Sequence, residues 1–201
     1  MEAINSRDRA LQLLQTYFGY TSFRPAQEAP VASLLQNEDV VAIMPTGAGK
    51  SICFQIPALC KSGLTVVFSP LISLMKDQVD GLVDQNIPAA LINSTLTQTE
   101  FNKTMYDVRS GNIKLLYIAP ERLGSNFFCN VLRSMPISQV IVDEAHCISQ
   151  WGHDFRPEYT QLGGLKAAFP NAPIMALTAT ADYATRQDIL THLKLDHPHK
   201  Y

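Results

Sequence analysis

Val40-Val41-Ala42-Ile43-Met44-Pro45-Thr46-Gly47-Ala48-Gly49-Lys50-Ser51 runs from an apolar, β-branched stretch into a glycine-bearing turn and then into a helical pattern reaching Cys60. A short run that is apolar on both faces reads as a strand covered by helices on two sides. Comparable runs recur at 64–68, 89–92, 114–118, 139–142 and 173–177. Between them, Leu71, Leu74, Met75, Val79 and Leu82 fall at helical spacing across 71–85, and Thr97-Gln98-Thr99-Glu100 has the form of a capping box opening another helix. Alternation of this kind predicts an α/β fold: a mostly parallel sheet of about six to seven strands, helices on both faces and right-handed crossovers. Ligands of such sheets gather at the carboxyl ends of the strands.

The composition narrows the setting. The chain has 201 residues, a net charge of −2, 46% hydrophobic and 17% charged residues, which excludes a disordered chain. A single domain of this length buries roughly 70% of its unfolded surface. No apolar run approaches the ~18 residues of a membrane span. The start, Met1-Glu2-Ala3-Ile4-Asn5-Ser6-Arg7-Asp8, carries charge where an export signal is apolar. A cytoplasmic protein is expected, nucleoid-associated in a bacterium or nuclear in a eukaryote, with no membrane partner and in a monomeric state. Any nucleic-acid surface must be local, because the chain is not basic overall. Cys53, Cys60, Cys129 and Cys147 show no paired spacing, and adjacent His146 and Cys147 are a poor metal pair. Four reduced, mostly buried thiols are expected.

The glycine turn carries the first chemistry. Gly47 and Gly49 free the backbone to turn N–H groups toward a phosphate chain, and the following helix adds its positive dipole end. Lys50 would reach the β- and γ-phosphates and the Ser51 hydroxyl would hold Mg²⁺, so that Thr46, Gly47, Ala48, Gly49, Lys50 and Ser51 form the phosphate cradle of ATP. Met44 stands where the general pattern has its first glycine. The second motif is Asp143-Glu144-Ala145-His146, at the end of the apolar run 139–142. Read alone, its acidic pair fits helix capping as well as catalysis. Beside a phosphate loop on a neighbouring strand, Asp143 fits a Mg²⁺ holder and Glu144 a base that deprotonates the attacking water.

The second motif is similar to that of superfamily 2 helicases, and the rest of the set follows in family order. Phe23-Arg24-Pro25-Ala26-Gln27 resembles the base-reading motif. Ser69-Pro70-Leu71-Ile72-Ser73-Leu74-Met75-Lys76-Asp77-Gln78 resembles the RecQ form of the next, and Tyr117-Ile118-Ala119-Pro120-Glu121-Arg122-Leu123 and Ala176-Leu177-Thr178-Ala179-Thr180-Ala181 come after it. The stretch from Cys147 through Gln150-Trp151-Gly152-His153-Asp154-Phe155-Arg156 to Tyr159 resembles the aromatic-rich loop that sets RecQ-family DNA helicases apart.

The resemblance implies the first RecA-like lobe of an ATP-driven 3′-to-5′ DNA helicase of repair and recombination. In that scheme residues 1–37 carry N-terminal helices and the adenine-reading motif, 38–195 the core, and 196–201 a tail toward a second lobe. It implies that Gln27 reads the adenine edge with Arg24 and Tyr20 beside it, although Tyr20 equally fits a core aromatic. It implies catalytic roles for Lys50, Asp143, Glu144 and His146. Gln150, Trp151, His153, Phe155 and Arg156 would contact single-stranded DNA at duplex junctions and couple it to hydrolysis. Trp151 and Phe155 supply stacking faces worth ~1–3 kcal/mol each, the other reading being simple packing under a long loop. Thr178 and Thr180 would bond toward His146, or cap a helix. Lys76, Asn93, Ser94, Thr95 and Arg122 are placed for DNA phosphates or for plain solvation.

Met75, Tyr106, Phe127 and Phe128 read as core, His197 and His199 as a fraying tail, and Pro30 as a bend in the helix carrying Gln27. With one lobe and no external arginine, the polypeptide by itself should bind ATP weakly, hydrolyse it barely and leave DNA paired. The competing readings are an RNA helicase of the same superfamily, a nucleotide-binding regulatory module that unwinds nothing, and, more distantly, a phosphate-loop kinase.

Overall fold

The computed structural model describes residues 5–195 and 197–201. Met1 to Ile4 of the charged start, and Asp196 of the tail, lie outside the described residues. Two helices open the chain, α1 (Ser6–Phe18) and α2 (Pro25–Leu35), followed by β1 (Val40–Ile43), α3 (Ile52–Cys60), β2 (Leu64–Phe68), α4 (Ile72–Asp84), β3 (Ala89–Ile92), α5 (Gln98–Arg109) and β4 (Leu115–Ile118). Then come α6 (Asn126–Arg133), β5 (Ile137–Val142), α7 (Leu165–Ala168), β6 (Ile174–Thr178), α8 (Tyr183–Leu193) and β7 (His199–Lys200). The strands form one sheet of seven in the order β3-β4-β2-β5-β6-β1-β7, and every neighbouring pair is parallel.

Alternation along the strands splits the core between the two faces. Val66, Phe68, Val140, Val142, Ile174 and Ala176 pack with residues of α5, α6 and α8. Val67, Ile141, Met175 and Leu177 pack on the other face with α2, α3 and α4. A third cluster seats α1 on α3 through Leu14, Ile52 and Ile56. The capping box at Thr97 forms as expected, with Glu100 N–H donating to Thr97 Oγ1 at 3.2 Å and Thr97 N–H to Glu100 Oε2 at 2.8 Å. Helix α2 continues through Pro30 to Leu35, even though the ring removes one backbone donor.

Three expectations change. Phe128 and Met75 are buried, but Tyr106 is 70% and Phe127 68% exposed. Successive residues on a short helix point about 100° apart, so Phe127 cannot share the buried face of Phe128. The tail does not fray: His199–Lys200 pairs in parallel with Val40 and Val41. Tyr201 extends that ladder, its N–H donating to Val41 O at 2.9 Å and its carbonyl accepting from Ile43 N at 2.8 Å. The tail thereby pairs the backbone groups that β1 would otherwise expose along a sheet edge.

The entry to β1 is fixed by Asp39, whose buried carboxylate accepts from Ile174 N at 2.8 Å and from Lys166 Nζ at 2.9 Å. Asp39→Ala should cost about 1.5–3 kcal/mol, the range for hydrogen bonds to a charged group. It should appear as a lower urea midpoint at unchanged slope; an unaltered midpoint would contradict this role.

Candidate active site: a phosphate loop facing an acidic turn

Strand β6 lies between β1 and β5, so the phosphate loop and the acidic turn leave strands one removed from each other rather than neighbouring ones. At normal strand spacing this sets them about 10 Å apart at one sheet edge, a gap that long side chains and a triphosphate can span. Lys50 Nζ lies 4.0 Å from Glu144 Oε1 across it.

The loop is preorganised by its backbone. Gly47 and Gly49 have φ of 82° and 79°, a region costly for any residue with a Cβ. Among the described residues, the N–H groups of Gly47, Gly49, Lys50 and Ser51 have no protein acceptor. Ser51 sits at the N-terminus of α3 with no side-chain capping bond, leaving its hydroxyl open to a metal. These features suit an anion with an associated cation.

Gln27 and Arg24 sit beneath this loop. The Gln27 amide donates to Gly49 O at 3.0 Å and Ala48 O at 3.4 Å, and its Oε1 accepts from Arg24 N at 2.8 Å. Arg24 donates to Gly47 O at 2.5 Å. The Gln27 side chain is buried and both ends of its amide are engaged by the protein, a clamp that the adenine-reading expectation did not anticipate. A Cβ on Gly49 would collide with Gln27 Nε2, so that glycine is required for close approach as well as for its φ. Tyr20 is exposed, against the core alternative.

The acidic turn is built differently. Asp143 is 5% exposed; its Oδ1 accepts from Glu144 N at 2.9 Å and its carbonyl from Tyr159 Oη at 2.8 Å. Burial, and then the Glu144 carboxylate, push its pKa up to about 6. An adjacent cation would offset both effects. Glu144 holds φ 48°, ψ 46°, a left-handed conformation costing about 1–2 kcal/mol in a residue with a side chain. It aims the carboxylate toward Lys50 and His146, whose Nδ1 is 3.4 Å from Glu144 Oε2.

His146 Nδ1 lies 2.7 Å from Thr178 Oγ1. The Thr178 hydroxyl donates to Thr180 O at 3.0 Å, so it accepts from His146 and Nδ1 carries the proton. Burial lowers the His146 pKa, keeping the ring neutral. Strand β6 thus reaches the acidic turn through its terminal threonine.

The aromatic loop lies beside this turn. Trp151 is 80% exposed, whereas Phe155 is half-buried. Both border a cavity of about 490 Å³ with Gln150, Asp188 and Lys194. His153 stacks on His146 at 5.4 Å between ring centroids. Arg156 Nη2 lies 3.4 Å from Asp154 Oδ1.

The outlying candidates differ in accessibility. Lys76 is exposed and paired with Asp80 at 2.5 Å. Asn93 is buried and accepts from Thr95 N at 2.8 Å, which removes it from the surface. Arg122 lies over the Phe101 and Phe128 rings, 4.9 and 5.6 Å from their centroids.

Sequence reasoning passed over Tyr159, which bonds the Asp143 carbonyl, and Asp154, which faces His146. It also gave no role to Gln78, which accepts from the buried Tyr117 hydroxyl at 2.8 Å and helps hold the Asp143 carboxylate charged. Gln78 and Tyr159 stood inside the quoted motifs, but no spacing rule pairs residues so far apart in the chain.

The DEAD/DEAH box helicase family model matches residues 24–189. The chain is 57% identical over 195 residues to the ATP-dependent DNA helicase RecQ of Pasteurella multocida, covering 97% of this chain and 31% of that protein. It is 55% identical over 201 residues to RecQ of Haemophilus influenzae, covering 100% of this chain and 32% of that protein. It therefore spans about a third of the length of these relatives. Among solved structures, the DUF1998 helicase MrfA bound to DNA superposes with a TM-score of 0.75 at 14% identity, covering 100% of this chain and 30% of that one; at that identity the likeness shows the fold. The phosphate loop, the acidic turn facing it across β6 and the matched family model lead to one assignment: this chain belongs to the DEAD/DEAH box helicase family.

Proposed function

We propose that this chain is the ATP-binding lobe of a RecQ-type DNA helicase that drives 3′-to-5′ movement along single-stranded DNA and parts duplexes by hydrolysing ATP. The observation that carries the reading is the approach of Lys50 to Glu144 at 4.0 Å, beside a loop whose Gly47, Gly49, Lys50 and Ser51 N–H groups have no protein acceptor among the described residues. The RecQ relatives, named as DNA helicases, support DNA over RNA, and favour a motor over a regulatory module or a kinase.

Magnesium fits the oxygen donors of Ser51 and Asp143, and when bound it supplies charge neutralisation at the β- and γ-phosphates. The loop N–H groups and the N-terminus of α3 bind the phosphate oxygens. Lys50 exchanges its contact with Glu144 for the phosphates, which leaves the Glu144 carboxylate to accept a proton from water. His146, its ring oriented by Thr178, packs beside the second Glu144 oxygen. Trp151, Phe155 and Arg156 stack and pair with a DNA strand, and their loop leaves the acidic turn a few residues past Glu144. Occupation of the loop can therefore bear on the position of His146. A second lobe would be the partner that closes over the nucleotide, and the cytoplasm or nucleoid is the setting the composition favours.

The test is calorimetry of Mg²⁺·ATP binding to Lys50→Ala. Loss of a charge-assisted phosphate contact, about 1.5–3 kcal/mol, predicts an affinity about 10–100-fold weaker. Unaltered affinity would refute the site.

A further inference from the structure

Three side chains beside the acidic turn converge in a way that the proposed ATP chemistry does not use. His146 and Cys147 lie on the 3-10 turn Ala145–Ile148. Asp154 returns to them because Arg156 N bonds Cys147 O at 3.0 Å, closing the loop. Asp154 Oδ2 is 3.6 Å from Cys147 Sγ and 3.9 Å from His146 Nε2. One donor atom from each of the three residues lies within 4.8 Å of the others.

Hydrogen-bond bookkeeping gives these atoms their polarity. Because Thr178 must accept from Nδ1, the neutral His146 ring has its lone pair on Nε2, facing a carboxylate oxygen. Asp154 Oδ2 accepts from the Cys147 thiol at 3.6 Å, yet it also faces the Nε2 lone pair across 3.9 Å, and a cation that displaces the thiol proton would serve all three donors. The outer contacts are also in place. Thr178 fixes the ring through Nδ1, and Arg156 engages Asp154 through Oδ1, the oxygen not turned to the cluster. Such outer partners orient metal ligands elsewhere. A tetrahedral zinc ion with bonds of 2.0–2.3 Å spaces its ligands roughly 3.3–3.8 Å apart, so small rotamer shifts suffice.

We propose that His146 Nε2, Cys147 Sγ and Asp154 Oδ2 form a binding site for a borderline divalent cation of the zinc class, separate from the magnesium position at Ser51 and Asp143. A mixed nitrogen, sulfur and oxygen set selects zinc-like ions over magnesium. Binding displaces the thiol proton to solvent and leaves a fourth position for water. His146 also borders a cavity of about 360 Å³ shared with His153, Asp182 and Thr185, and Asp154 is partly exposed, so solvent access exists. An ion here would tie the acidic turn to the aromatic loop. If the helicase reading holds, it would act as a brake on coupling. Binding itself does not depend on that reading.

The test uses the 201-residue chain with Co²⁺ as spectroscopic probe and Zn²⁺ in competition with a chromophoric chelator. One equivalent of Co²⁺ should bind with a thiolate charge-transfer band that Zn²⁺ abolishes. Cys147→Ser should remove the band, and Asp154→Asn should keep it while weakening Zn²⁺ binding at least about tenfold. A Cys60→Ser, Cys129→Ser double variant should change neither. A band that survives Cys147→Ser, Zn²⁺ affinity unchanged in Asp154→Asn, or the absence of any stoichiometric ion would overturn the proposal. Should Cys147→Ser fail to fold, Asp154→Asn decides, since its side chain is 42% exposed and its replacement is nearly isosteric.

Discussion

Assayed alone with saturating single-stranded DNA, the 201-residue chain should release phosphate about 10³–10⁵ times more slowly than the full-length Pasteurella multocida relative, the span attributed to an arginine supplied from outside in phosphate-loop enzymes, if the proposed second lobe supplies that arginine. In the proposed site Lys50 meets the phosphates, Asp143 a metal and Glu144 the attacking water, and the arginines of the matched motifs already have contacts within the chain. Arg24 donates to Gly47 O beneath the loop, Arg156 pairs with Asp154, and Arg122 lies against Phe101 and Phe128. Among the described residues, each of these three arginines is already committed to such a contact. A phosphate-release assay checks this: turnover comparable with the full-length relative would show that the chain is catalytically sufficient by itself and would remove the need for the proposed second lobe.

In the full-length protein, Glu144→Gln should lower DNA-stimulated turnover by about 10²–10⁴, the usual worth of a positioned general base, while ATP affinity changes only a few-fold. The amide keeps the volume of the side chain beside His146, whose Nδ1 lies 3.4 Å from Glu144 Oε2, but it cannot take a proton from water. It also removes the charge that draws Lys50 away from the phosphates. The pattern is therefore the reverse of Lys50→Ala, which loses affinity. Single-turnover kinetics beside calorimetry separates the two, and a rate within tenfold of the parent would take the base role from Glu144.

Both predictions rest on residues whose identity was readable in the chain. The glycine loop and the acidic turn each consist of contiguous residues, and local chemistry explains them: positive φ at Gly47 and Gly49, a strand before and a helix after. The parallel sheet was readable for the same reason, since each buried run is apolar on both faces apart from Thr65 and Gln139. Less legible was anything set by packing between distant segments. Phe127 and Tyr106 look like Phe128 and Met75 in a list of apolar residues, and only the rotation of α5 and α6 on the sheet exposes them. The tail read as polar and loose, yet β1 had an unpaired side that its backbone could fill, a condition no side-chain pattern records. Adjacent His146 and Cys147 made a poor metal pair in linear terms, and the third residue of the proposed site, Asp154, reaches them only through a loop closure.

By itself, then, the order of residues determined the strand–helix alternation, the anion-binding loop and the acidic turn, because these depend on neighbours within a few positions. Tertiary structure alone decided that β6 separates the two motifs, that Gln27 clamps the loop from below, that Thr178 sets the tautomer of His146 and that Tyr159 and Gln78 brace Asp143. Those relations join segments far apart in the chain, and they follow from strand order and from the cost of leaving buried polar groups without partners, which a linear reading cannot assign.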